Sequence, residues 1–171
     1  MHLTRAHSLV AAAALVGLSA QAPAASVPWC TRIPLPATAP QACVPLTIRT
    51  PHGTLRLAVA ATESQRERGL MNVSYVPPLQ GMIFAFPDGD DDRGFWMKDT
   101  ITPLDMVFVT SDGTITSVAV DVPATPPHTP DEKVARRSGL AHYVIELGAG
   151  QAGAMGLLPG ARLVIPAVQA R

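Results

Sequence analysis

The chain has 171 residues, 13 basic and 13 acidic side chains, and an apolar fraction of 47%. Zero formal net charge gives no electrostatic footprint for nucleic acid or an anionic membrane surface. The length suits a single domain that buries its core without metal or disulfide staples.

The first residues read as an export signal. Arg5 is the only formally charged side chain before Arg32, an apolar run from Leu9 to Ala20 follows it, and Ala22-Pro23-Ala24 offers a small-x-small cleavage site. Residues 1–25 are therefore expected to be a signal peptide, too short in its apolar part to span a bilayer, and the mature chain is expected in the periplasm or secreted. Val-Pro-Trp before Cys30 lacks the small residues that lipoprotein processing prefers. Cleavage leaves roughly 147 residues, one domain's worth, with 12 basic side chains (13 less Arg5) against 13 acidic.

Residues 26–43 form an expected proline-rich leader, with prolines at 28, 34, 36 and 40 and another at 45, a density that defeats helix and central strand. Cys30 and Cys43 are the only cysteines, and in an exported chain such a pair reads as a disulfide closing a loop of about a dozen residues, for about 3 kcal/mol.

From Val44 the pattern changes. Val44–Thr50 and Thr54–Ala60 read as strands joined by a hairpin at Pro51-His52-Gly53. Thr62-Glu63-Ser64-Gln65 is a capping box, which predicts a short helix ending near Gly69. Val76-Pro77-Pro78 forces a loop. Met82–Phe86, Phe95–Met97, Asp105–Thr110 and Thr114–Val120 read as strands, the last two joined by a turn at Ser111-Asp112-Gly113. Residues 121–139, with four prolines and few large apolar side chains, read as a long mobile loop. His142–Leu147 and Ala161–Ile165 are the final expected strands, with one helical turn at Ala152–Met155 between them. About eight short strands and one short helix predict a mainly β domain over residues 44–168, α+β only in a minor way, built as a compact barrel or sandwich.

The most informative stretch is Gly94–Val109, where Trp96 and two of the four phenylalanines surround Lys98, Asp99 and Asp105. Charges set among aromatics and β-branched residues are costly to desolvate unless paired or hydrogen-bonded, so the segment is either a pairing site or the floor of a pocket.

Several motifs in this region also follow one another in a familiar order. Arg66-Glu67-Arg68-Gly69-Leu70-Met71, Gly81-Met82-Ile83-Phe84, Phe95-Trp96-Met97-Lys98-Asp99-Thr100, Thr102-Pro103-Leu104-Asp105, Asp112-Gly113 and Val144-Ile145-Glu146-Leu147-Gly148-Ala149-Gly150 together resemble the DUF192 family of uncharacterised bacterial and archaeal proteins. The likeness runs over about residues 54–165. It departs at Asp99, where the family usually has asparagine, and at Ala161, where an aspartate is common. The resemblance implies a compact β-rich domain, often exported, with no established activity.

Lys98, Asp105 and Glu146 form the leading constellation. Strand alternation puts Asp105 on a face with Val107 and Val109, and Glu146 on a face with Val144. Carboxylates in such surroundings have raised pKa values unless Lys98, Arg66 or Arg68 compensates them, and a buried ion-pair network is the simplest expectation. The functional expectation is a binding domain for a small ligand or an envelope protein, without catalysis, cofactor or metal. Its site draws on Arg66, Arg68, Trp96, Lys98, Asp99, Asp105 and Glu146. Two alternatives stand beside it. A hydrolase of envelope glycan would use Asp105 and Glu146 roughly 5 to 10 Å apart, and a copper-binding protein would use Met97 and Met106 as soft thioether ligands. Neither a nucleophile elbow nor a glycine-rich phosphate loop is present.

Overall fold

The computed structural model describes residues 45–170. The expected signal peptide, the proline-rich leader and the Cys30–Cys43 pair lie outside the described residues.

Eight strands and two short helices follow in chain order: β1 (Leu46–Thr50), β2 (Gly53–Ala60), α1 (Glu63–Arg68), β3 (Gln80–Ala85), β4 (Asp91–Trp96), β5 (Leu104–Val109), β6 (Ile115–Val122), β7 (Arg136–Ala141), β8 (Tyr143–Gly148) and α2 (Gln151–Ala154). Six strands form one sheet in the order β1-β2-β3-β8-β5-β6, and β4 with β7 forms a separate ribbon. Every pairing is antiparallel except β2 with β3, and that parallel step is where the chain crosses over through α1. Strands β1 and β6 are the edges of the large sheet, so of the two expected architectures the sandwich is the one formed.

The central strands β3, β8 and β5 are buried almost throughout, which requires cover on both faces. One face carries Ala58, Met82, Phe84, Val144, Met106 and Phe108 and is covered by α1, the segment after it, and the β4–β7 ribbon. The other carries Leu57, Ile83, Ile145, Leu147, Val107 and Val109 and is covered by α2 and the C-terminal segment through Ala152, Met155, Leu157 and Leu163.

The ribbon docks through Phe95, which meets Phe84, Phe86 and Phe108 edge-to-face with ring centroids 4.9, 6.2 and 6.2 Å apart. Gly139 lets β7 cross this closely, because a Cβ there would stand 2.6 Å from Ser117 Oγ and 2.8 Å from Phe108 Cγ.

Local signals place the other elements. The β1–β2 hairpin pairs Thr50 with Gly53. At α1 the Thr62 hydroxyl accepts from the Gln65 N–H at 3.3 Å, and the Gln65 side chain accepts from the Thr62 N–H at 3.0 Å, so the expected capping box is formed in both directions. Helix α1 ends at Gly69, whose φ of 46° is left-handed and whose missing side chain admits the Phe84 ring.

Two expectations need correction. Residues 121–139 are not one long loop: β6 runs on to Val122, one 3-10 turn spans Asp131–Lys133, and β7 begins at Arg136. Residues 161–165 form no strand. They contribute one isolated bridge, Arg162 with Thr114, and instead seal the second face of the sheet with Leu163.

Candidate functional site

Cross-strand register explains what surrounds Glu146. Ala58 stands opposite Met82, Met82 opposite Glu146, Glu146 opposite Met106, and Met106 opposite Ala119. Glu146 is thus the single polar side chain in a row that crosses five strands, with a thioether on each side. Only 5% of it is exposed.

Above this row the covering layer leaves a cleft of about 190 Å³, with Glu146 in its lining. Arg66, Glu67 and Arg68 of α1 line one side. Phe84 and Phe86 come from β3, Phe95 and Trp96 from β4, and Lys98 and Thr100 from the turn beyond it. No hydrogen bond or ion pair joins the Glu146 carboxyl to any described residue, and burial alone pushes its pKa from 4.5 up to about 8. The acid is therefore mostly neutral at pH 7.

The basic groups are placed differently from one another. Arg66 donates to the Ala61 and Ala85 carbonyls at 2.9 and 3.0 Å, and its guanidinium lies 5.3 Å from the centre of the Phe86 ring. Arg68 Nε is buried and has no hydrogen-bond partner among the described residues. Lys98 pairs with Asp131 on the 3-10 turn, and that hydrogen bond raises its pKa further. Trp96 is 37% exposed, with the Arg136 guanidinium stacked 4.8 Å from its ring centre.

Asp99 turns away from the cleft's chemistry. It is exposed, and its φ of 51° is left-handed, in the turn closed by the Thr100 N–H donating to the Met97 carbonyl at 3.0 Å. Its own carbonyl accepts from the Asn72 N–H at 2.8 Å, tying the turn to the segment after α1.

Asp105 is the main departure from the expected constellation. It is fully buried, but on the other face of the sheet. One carboxylate oxygen accepts from the Asp121 N–H at 2.9 Å and the other from the Ala152 N–H at 2.8 Å. The first bond holds an irregularity in β6, where the register steps from Leu104–Val122 to Met106–Ala119 and Asp121 adopts a φ of 48°. The second satisfies a backbone donor in the first turn of α2. Backbone amides do for Asp105 what an ion pair was expected to do.

The expected network of Lys98, Asp105 and Glu146 is therefore not assembled, because each has a different neighbourhood. The structure gathers Arg66, Arg68, Trp96, Lys98 and Glu146 around one cleft and leaves Asp99 and Asp105 outside it. The hydrolase arrangement loses its geometry for the same reason, since Asp105 and Glu146 project from opposite faces. Met97 and Met106 are both fully buried in one apolar cluster with Leu104 and Phe108, as core side chains. Asp88 and Asp90, in the turn between β3 and β4, have structural partners. Asp88 pairs with Arg93 at 2.7 Å, and Asp90 accepts from the Ser111 N–H at 2.6 Å.

Sequence reasoning overlooked Glu67, Phe86 and Thr100 in the cleft lining. The motifs Arg66–Met71 and Phe95–Thr100 carried a signal for Glu67 and Thr100, while Phe86 becomes visible only once Phe95 of β4 packs against it.

The comparisons agree with this architecture. A protein of Sinorhizobium meliloti 1021, described provisionally as a transcription regulator, is 35% identical, with a TM-score of 0.58 over 71% of this chain and 92% of its own. A protein of unknown function from Novosphingobium aromaticivorans DSM 12444 is 29% identical, with a TM-score of 0.56 over 71% of this chain and 84% of its own. Among curated proteins none matches. The profile of the family DUF192, described as "Uncharacterized ACR", matches residues 45–165, and the chain belongs to that family.

Proposed function

We propose that the domain binds a small molecule in the cleft over Glu146 and performs no chemistry on it. The observation that supports this reading is the Glu146 carboxyl, 5% exposed and without a hydrogen-bond partner among the described residues, in the lining of a cleft shared with Phe84, Phe86, Phe95 and Trp96. Burial that pushes the Glu146 pKa up to about 8 makes its ionised form costly there, and a ligand that meets the acid offsets that cost. The cleft volume favours a small molecule over a protein segment. The regulator name borne by the Sinorhizobium relative stays with that relative, since 13 basic and 13 acidic side chains offer no phosphate-binding excess here.

We also propose that the chain is exported, on the strength of Arg5, the apolar run to Ala20 and the Ala22-Pro23-Ala24 site. Native mass spectrometry of the chain purified from a periplasmic extract tests both readings. The expected result is a chain shortened at the cleavage site that carries a small adduct, lost when Arg68 is replaced by alanine. A chain of bare mass throughout, after exposure to the extract, would refute ligand binding. A full-length chain confined to the cytoplasmic fraction would refute export.

A further inference from the structure

The cleft's chemistry limits its occupant beyond size. At about 190 Å³ it lies below the roughly 300 to 1,000 Å³ of sites for drug-sized ligands, so one ring with one polar group fills it. Phe84, Phe86, Phe95 and Trp96 make the lining largely aromatic, which suits such a ring. The polar end would meet Glu146 and the Arg68 guanidinium, which share the lining, and Arg68 has no hydrogen-bond partner among the described residues.

Three ligand charges can be compared. A cation would pair with Glu146 only as a carboxylate, and it would enter beside Arg66, Arg68 and Lys98. A neutral alcohol or amide would leave Arg68 without a counter-charge. An anion accepts from the Arg68 guanidinium and also from Glu146 when that acid holds its proton, giving charge-assisted bonds at both points.

We propose, on the footing of the ligand-binding reading above, that the cleft selects small planar organic anions, with Arg68 and Glu146 as the two groups that meet the ligand's carboxylate. No bond is made or broken. Binding retains one proton on Glu146, so affinity depends on pH in a stated direction. With a midpoint at about 8, Glu146 is almost fully protonated at pH 6 and about one-tenth protonated at pH 9. Benzoate affinity therefore falls about tenfold between those values. The charged groups facing Glu146 from the covering layer are Arg66, Glu67 and Arg68 on α1 and Lys98 beyond β4, whereas β3 and β5 present Met82 and Met106.

The test measures binding of benzoate, benzyl alcohol and benzylamine by protein-observed NMR at pH 6, and of benzoate again at pH 9. Benzoate is expected to bind at least about tenfold tighter than the other two, the worth of one hydrogen bond to a charged group. Its shifts should centre on Trp96 and Glu146. Glu146→Gln should abolish the pH dependence of benzoate binding. Arg68→Gln should weaken it about tenfold. Tighter binding of benzylamine or benzyl alcohol in the cleft would overturn the anion selectivity and leave ligand binding standing. Absence of all three probes from the cleft would likewise overturn it, with the adduct experiment then deciding on ligand binding alone. Benzoate binding that is equally strong at pH 9 would remove the role of the Glu146 proton.

Discussion

Replacing Asp105 by asparagine separates the structural carboxylate from the one in the cleft. The two oxygens of Asp105 each accept one backbone N–H, from Asp121 and Ala152, in a fully buried position. Asparagine keeps the shape but puts an NH₂ against one of those donors. One charge-assisted bond is lost, worth about 1.5 to 3 kcal/mol, and the other falls to the strength of a neutral bond. The expected loss is about 3 kcal/mol for Asp105→Asn. Alanine removes both acceptors and leaves two buried donors unsatisfied, which raises the loss to about 5 kcal/mol. For a domain of this size, 3 kcal/mol corresponds to a fall in Tm of about 10 °C. Urea denaturation should show a lower midpoint at unchanged slope, because the same surface is exposed on unfolding. Ligand binding in the cleft should persist, since Asp105 lies across the sheet from it. An asparagine variant within about 0.5 kcal/mol of the wild type would show that these two hydrogen bonds do not hold β6 and α2 in place.

Glu146→Gln should act through pH. Burial raises the folded pKa from 4.5 to about 8, so between these values the folded state binds more protons than the unfolded one. Stability is then fully present below about pH 4.5 and falls as pH rises through 8, by about 1.4 kcal/mol per unit at most and about 3 to 5 kcal/mol in all. Subtracting urea midpoints of the glutamine variant from those of the wild type at pH 5 to 9 isolates this contribution, and parallel curves would contradict it. Asp99→Asn should leave stability unchanged or raise it by about 0.5 kcal/mol, because asparagine adopts the left-handed conformation of this turn readily. Thermal melting checks the direction, with Glu146→Ala as the comparison. Alanine there removes packing between Met82 and Met106 and should lower the melting temperature more at pH 5 than at pH 8.

The elements that sequence reading located are those with a local cause. Pro51-His52-Gly53 makes a hairpin wherever it lies between two β-rich runs, and Thr62 with Gln65 closes a capping box without help from the rest of the chain. Strand β7 has no such signal. Arg136, Arg137, Ser138 and Gly139 are poor strand formers on their own, and they pair only because β4 offers an edge and Gly139 fits over Phe108. Residues 161–165 show the reverse case: the apolar alternation is real, but it serves to cover the sheet rather than to extend it. For Asp105 and Glu146, alternation placed each acid correctly among its own neighbours. It is silent on whether two strands present those neighbours to the same side. That depends on the register of β5 against β8, where Asp105 faces Leu147 and Met106 faces Glu146. The cleft was visible as a concentration of charge among aromatics, yet its walls come from β3 and β4, which sequence alone does not bring together.

The most direct measurement is a ¹³C NMR titration of the Glu146 side-chain carboxyl, with and without benzoate. A midpoint near 8 in the free protein, displaced upward once benzoate is bound, is the predicted result. A midpoint near the ordinary 4.5 that benzoate leaves unmoved would mean that Glu146 is a solvated carboxylate and that the cleft above it is not a ligand site.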